Sequence, residues 1–150
     1  VSVGLGLIAG IAFSGRALVN YNVFFLGAAA GVVSLCFAGR LSNGRPTRLQ
    51  LSAMAGAILL ELGLFVAMGR TLPAGTAEHI RWLWVSMIVG VHFLPMSICF
   101  GPRFAVLGLG CITNATVGLL MPSIPFELFG LIDGALKVGF GVWSFHVPRI

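Results

Sequence analysis

Residues 80–100 read IRWLWVSMIVGVHFLPMSICF, and Arg81 is the only residue in this stretch with a formal charge at neutral pH. An α-helix of this length rises about 30 Å, which matches the thickness of the hydrocarbon core of a bilayer. The stretch therefore predicts a membrane-spanning α-helix, and its pattern of long apolar runs recurs along the whole chain.

The composition of the chain supports the same interpretation. Of its 150 residues, 58% are hydrophobic and 9% are charged, whereas a soluble domain carries about 25% charged residues. A water-soluble fold could not bury this much apolar surface. At about 20 to 25 residues per crossing, the length allows about six helices. We therefore predict an all-α fold, a polytopic transmembrane bundle of about six helices.

Apolar runs separated by Arg, Pro and Gly predict where these helices lie. The predicted spans are residues 1–15, 18–39, 50–69, 80–100, 103–121 and 126–146. Turn-forming clusters at residues 42–46, 72–76 and 121–125 support the boundaries. We expect residues 1–150 to form a single integral membrane domain. Because the chain begins at Val1 rather than Met, we also expect a truncated N-terminus.

The basic residues predict the topology of the chain. Its formal charge of +5 comes almost wholly from eight arginines at the predicted span ends: Arg16, Arg40, Arg45, Arg48, Arg70, Arg81, Arg103 and Arg149. Five of them fall on the side of the termini and three on the other. Because Lys and Arg accumulate in cytoplasmic loops, we expect both termini in the cytoplasm and no nucleic-acid partner. Arginine instead of lysine in the loops suggests a GC-rich bacterial source, and we expect the protein in the bacterial inner membrane.

Polar side chains near the middle of four predicted spans are the candidate functional residues. An ionisable side chain there costs about 2.5 to 3.5 kcal/mol on insertion scales, and such residues often mark solute or proton pathways. The candidates are Glu61, His92, Asn114, Asp133 and Lys137. We expect Glu61 and His92 to carry protons. Asp133 and Lys137, four residues apart on one helical face, are expected to form a charged binding wall.

Each candidate also has a purely structural interpretation. Asp133 and Lys137 would neutralise each other, and His92 and Asn114 would hydrogen-bond to neighbouring helices. Pro95 removes a backbone donor three residues after His92, which predicts a kink in that helix. These alternatives leave the role of every candidate open.

Small residues recur four apart in several predicted spans, and such faces let membrane helices pack closely. The pairs are Gly6 with Gly10, Gly27 with Gly31, and Gly130 with Gly134, while Gly110, Asn114 and Gly118 share a face. The spacing supports a compact bundle and indicates no chemistry.

Residues 131–141, LIDGALKVGFG, resemble the last helix of microbial rhodopsins, in which an Asp precedes by four residues the lysine that binds retinal. Lys137 is also the only lysine in the chain. The resemblance implies a retinal Schiff base on Lys137, with Asp133 in its counter-ion. The remaining spans depart from that family, with six predicted where rhodopsins have seven. We therefore expect no cofactor, and retinal on Lys137 is the alternative.

The chain as a whole resembles small uncharacterised polytopic membrane proteins of bacteria. The resemblance is carried by VHFLP at residues 91–95 and IDG at residues 132–134. It implies a membrane location and no particular mechanism.

Three function classes follow from these observations. The leading hypothesis is a small transporter or channel-like protein, proton-coupled, that acts on a small solute. The alternative is a structural or assembly subunit without transport activity, in a homo-oligomer or with a membrane partner. An intramembrane enzyme is less favoured, because the sequence has no His-Glu-x-x-His or Gly-x-Ser-x-Gly motif. We expect no metal site, because Cys36, Cys99 and Cys111 lack metal-ligand spacing.

The transport hypothesis predicts that the midplane charges converge. In a chain lacking Cys36, Cys99 and Cys111, the substitutions Glu61→Cys and Lys137→Cys should allow a short bifunctional reagent to link the third and sixth predicted spans. Gel mobility after cleavage between the two spans measures the linkage. A folded protein that is not linked would favour separate structural roles.

Overall fold

The computed structural model describes residues 2–12, 26 and 47–146. The helices in these residues are α1, Ser2–Ala12; α2, Arg48–Thr71; α3, Glu78–Phe100; α4, Arg103–Leu120; and α5, Phe126–His146. The described residues contain no strand, so the prediction of an all-α protein is confirmed for them. Of the second predicted span, residues 18–39, only Leu26 lies within the described residues, and it is helical.

Three of these helices are long and apolar enough to cross a membrane: α2 with 24 residues, α3 with 23 and α4 with 18. Their lengths correspond to about 27 to 36 Å, close to the hydrocarbon thickness of a bilayer. Length and composition thus indicate that the protein is associated with a membrane. The predicted ends of these helices lie within two residues of the observed ones.

α2 begins two residues before the predicted span because a capping box starts it. The Thr47 hydroxyl accepts a hydrogen bond from the Gln50 backbone N–H at 3.2 Å, and Gln50 Oε1 accepts one from the Thr47 N–H at 2.9 Å. Such reciprocal bonds satisfy backbone donors that the first turn leaves unpaired. The Thr-x-x-Gln spacing is visible in the sequence, but the apolar run alone places the start too late.

The chain divides into two compact units, residues 1–45 with 125–150, and residues 46–124. Within the described part of the first unit, α1 packs on α5. In the second unit, α3 packs against both α2 and α4. The arrangement of residues 1–150 as a single membrane domain stays a prediction.

Glycines bring the helix backbones into direct contact within each unit. In the first, a methyl group on Gly4 would lie 2.6 Å from the carbonyl oxygen of Gly134. In the second, a methyl group on Gly108 would lie 2.6 Å from the carbonyl oxygen of Gly90. Gly134 belongs to a predicted small-residue pair, whereas Gly4, Gly90 and Gly108 do not. The spacing rule therefore identified only part of these contacts.

We predict that Gly108→Ala destabilises the protein by about 1 to 3 kcal/mol, because the new methyl group must displace the α3 backbone. The matched control is Gly63→Ala in α2, where an added methyl group would meet no heavy atom within 4 Å. The free energy of unfolding in mixed micelles is measured for both variants. Equal stability of the two would contradict the close approach of α3 and α4.

Candidate polar site

Glu61 and His92 meet near the middle of two helices of membrane-spanning length. Glu61 Oε2 of α2 lies 3.1 Å from His92 Nδ1 of α3. The Glu61 side chain is 26% exposed and the His92 side chain 13% exposed, so both are mostly enclosed. The contact joins two titratable groups, a carboxyl and an imidazole, across the α2–α3 interface.

A second oxygen of α2 lies against the same histidine nitrogen. The carbonyl oxygen of Ala57, one helical turn before Glu61, is 3.2 Å from His92 Nδ1. Ala57 is fully buried, and it is the buried residue of α2. Its small side chain lets the imidazole approach the α2 backbone. The ring is therefore held from one side by two oxygens from a single turn.

The pairing of α2 with α3 is anchored again farther along the two helices. Cys99 Sγ, near the end of α3, donates a hydrogen bond to the Gln50 carbonyl oxygen at the start of α2, with a separation of 3.1 Å. Contacts of residue 50 with 99 and of residue 61 with 92 show that the two helices run antiparallel. This register holds Glu61 level with His92.

Asp133 and Lys137 form an ion pair within α5. Lys137 Nζ donates to Asp133 Oδ2, and the two groups lie one helical turn apart. Asp133 is 0% exposed and Lys137 is 7% exposed, so the pair is buried. Asp133 Oδ1 has no hydrogen-bond partner within the residues that the structure describes. The pair is thus electrically neutral but leaves one acceptor unsatisfied.

The base of Lys137 lies against α1. A methyl group added to Gly4 would come within 2.9 Å of Lys137 Cβ and within 2.6 Å of the Gly134 carbonyl. A glycine at position 4 therefore makes room for the lysine stem where α1 crosses α5. The helix crossing and the ion pair occupy the same region of the first unit.

The remaining candidates lie in the second unit. Asn114 is half-buried in α4, and it has interaction partners. Pro95 lies within α3, which continues as a helix to Phe100, while Ser97 Oγ donates to the Leu94 carbonyl at 2.6 Å. The kink at Pro95 stays a prediction.

The structure thus brings the candidates together as two pairs, Glu61 with His92 and Asp133 with Lys137. The pairs belong to different units, and the convergence of all five residues stays a prediction. Within residues 2–12, 26 and 47–146, no group of three His, Cys, Asp or Glu side chains is placed to hold a metal ion. The chemistry that these pairs offer is proton exchange and the binding of charged or hydrogen-bonding groups.

Comparison with known proteins places the chain in a family. A family model described as a family of unknown function, DUF6609, matches residues 1–149. The chain belongs to the DUF6609 family. No curated protein and no solved structure matches it. Functional inference for this DUF6609 protein therefore rests on the chemistry and geometry of its own residues.

We predict that breaking the buried ion pair from one side destabilises this DUF6609 protein strongly. Lys137→Met leaves a buried carboxylate without its counter-charge, and the loss of one partner from such a pair costs about 3 to 5 kcal/mol. Adding Asp133→Asn to Lys137→Met should recover much of that loss. The measurement is a double-mutant cycle, in which the free energy of unfolding in mixed micelles is compared for the wild-type protein, the two single variants and the double variant.

The control for this cycle is Glu127→Gln, which removes an exposed charge from the first turn of the same helix. It should change stability by no more than about 0.5 kcal/mol. Strictly additive effects of the two ion-pair substitutions would show that the charges are not coupled.

Proposed function

We propose that this DUF6609 protein is a small membrane transporter or channel-like protein that couples to protons. The contact between Glu61 Oε2 and His92 Nδ1, 3.1 Å apart near the middle of α2 and α3, is the observation that supports this proposal. A neutral polar pair would link two membrane helices at a smaller insertion cost. A carboxyl group beside an imidazole adds the capacity to bind and release a proton.

In this proposal, Asp133 and Lys137 form the charged wall of a solute site, which a small solute contacts when the buried pair becomes accessible. Asp133 Oδ1 is the buried acceptor without a hydrogen-bond partner in the described part of the chain. Since Lys137 neutralises the carboxylate through Oδ2, a hydrogen-bond donor on a neutral or zwitterionic solute suits Oδ1 better than a free cation does. The ammonium group close by would repel a cation.

The transport proposal includes a topology of six membrane helices with both termini in the cytoplasm of a bacterium, in its inner membrane. The orientation of the second unit supports it in part. Arg48 begins α2 and Arg103 begins α4. Both helices run antiparallel to α3, and for α4 this follows because residue 104 contacts residue 100 and residue 108 contacts residue 90. These two arginines therefore lie at one end of the unit, the end that the arginine count assigns to the cytoplasm.

A structural or assembly role is the second candidate, and the enclosure of Asp133 and Lys137 favours it. The two charges neutralise each other inside one helix, beside the crossing of Gly4 and Gly134. Such a pair can lock α1 onto α5 without contacting any solute. The outer face of α2 would then contact lipid or a partner subunit, since Ala57 is its buried residue.

Proton flux into liposomes separates the two candidates. Purified protein is reconstituted into vesicles that contain a pH-sensitive dye, and a membrane potential drives protons inward. We expect the wild-type protein to acidify the lumen faster than empty vesicles do, with or without a small-molecule extract of bacterial cells outside. Glu61→Gln and His92→Gln should return the rate to that of empty vesicles, because the first removes the negative charge beside the imidazole and the second removes the ring that binds the proton.

The matched control is Glu127→Gln, which makes the same chemical change as Glu61→Gln at an exposed position of α5. It should retain wild-type flux, and circular dichroism should show equal helicity for all variants. Wild-type vesicles that behave like empty ones under both conditions would refute the transport proposal and leave the structural role.

A further inference from the structure

The surroundings of His92 Nδ1 determine which ring nitrogen can carry the proton of the neutral imidazole. Two oxygens face Nδ1, the Ala57 carbonyl oxygen at 3.2 Å and Glu61 Oε2 at 3.1 Å. A backbone carbonyl only accepts hydrogen bonds, and an ionised carboxylate does the same. A proton on Nδ1 satisfies this arrangement, whereas a lone pair on Nδ1 would face two acceptors.

A proton on Glu61 does not change this conclusion. If Glu61 Oε2 donated to a lone pair on Nδ1, the Ala57 carbonyl would still point at that lone pair from 3.2 Å. Polar atoms that face each other in this way lose a hydrogen bond and gain repulsion. The Ala57 carbonyl therefore favours Nδ1–H in either protonation state of Glu61.

The other ring nitrogen has no such partner. The hydrogen bond and the ion-pair contact of His92 both involve Nδ1, and Nε2 has no hydrogen bond to any residue that the structure describes. When one nitrogen of a neutral imidazole is a donor, the other carries a lone pair. Nε2 is thus the basic atom of the ring, and the His92 side chain is still 13% exposed.

We infer that Glu61 is a positioning residue that, together with the Ala57 carbonyl, holds neutral His92 as the Nδ1–H tautomer, so that Nε2 is the atom at which a proton is taken up and released. This inference deepens the proposed function and rests on it for its role in transport. It assigns different tasks to the two residues, because a direct relay from Glu61 to Nδ1 would first require the bond to Ala57 to break.

The proton balance of this step is simple. A hydronium ion transfers a proton to the lone pair of Nε2 and leaves a water molecule, and the ring becomes an imidazolium with N–H groups at both positions. Nδ1–H continues to donate to Ala57, and the Glu61 carboxylate stabilises the new positive charge from 3.1 Å. Release from Nε2 regenerates the neutral Nδ1–H ring, and Glu61 neither gains nor loses a proton.

Nitrogen NMR tests this assignment directly. The protein is labelled with 15N-histidine in lipid nanodiscs, in a His79→Gln and His146→Gln background that leaves His92 as the sole histidine. At a pH at which the ring is neutral, we expect Nδ1 to resonate as the protonated nitrogen and Nε2 as the unprotonated one. The opposite assignment would overturn the inference.

Two substitutions at Glu61 test its positioning role. Glu61→Gln keeps an oxygen that can face Nδ1–H, so the Nδ1–H tautomer should persist. Glu61→Leu removes that oxygen, and we expect a second set of signals from the Nε2–H tautomer. An unchanged spectrum in Glu61→Leu would show that Ala57 alone holds the ring and would refute the role of Glu61.

The matched control for Glu61→Leu is Leu62→Ala, a substitution at the next and exposed position of α2, which should leave the tautomer unchanged. The NMR measurement needs no gradient and no solute, so its outcome is independent of flux. A correct tautomer without proton flux would refute the proposed function alone. Proton flux with the Nε2–H tautomer in the wild-type protein would refute only the present inference.

Discussion

Inside hydrocarbon, a polar side chain has no water to bind, so it must find its partner within the protein. This constraint applies to the pair on α2 and α3, which are long and apolar enough to cross a membrane, and burial imposes the same need for a partner on Asp133 and Lys137 in α5. Lys137 binds Asp133 on the same helix, and His92 binds two oxygens of a neighbouring helix. Helices this apolar tolerate these groups because each charge or donor is met at close range. The helices around each pair therefore pack closely enough for the two polar groups to touch.

Close packing of the helices brings these polar groups within contact distance of each other. Ala57 lets the His92 ring reach an α2 carbonyl, and a bulkier residue at that position would hold the two helices farther apart. Gly4 likewise leaves space for the stem of Lys137 where α1 crosses α5. Small residues thus serve two purposes, because they increase van der Waals contact between helices and they allow polar groups to meet.

The two pairs differ in what they can do. Asp133 and Lys137 carry opposite charges in a buried position, an arrangement that is neutral as a whole and that suits a lock or a polar wall. Glu61 and His92 combine a carboxyl group with an imidazole ring, and each of these groups can bind and release a proton. They also belong to different helices, so a shift of α2 along α3 would change their separation. Because the DUF6609 family is of unknown function, both roles are argued from the chemistry of these residues.

Local features of this protein were determined by the sequence itself. Apolar runs predict four described helices to within about two residues, and for the three helices of membrane-spanning length this agreement follows from the thickness of hydrocarbon. The ion pair of Asp133 with Lys137 is likewise predictable, since residues four apart lie on one face of any α-helix. The capping box at Thr47 and Gln50 is a further local signal.

Only the tertiary structure decided which helices meet and in which register. The contact of His92 with Ala57 joins residues 35 positions apart, and the crossing of Gly90 with Gly108 depends on how α3 and α4 pack. Spacing along a single helix shows which residues share a face, but it does not show which neighbouring helix packs against that face, because several helices have faces of similar composition. The tautomer of His92 follows from such a contact, because the deciding acceptor is a backbone carbonyl that every residue type possesses.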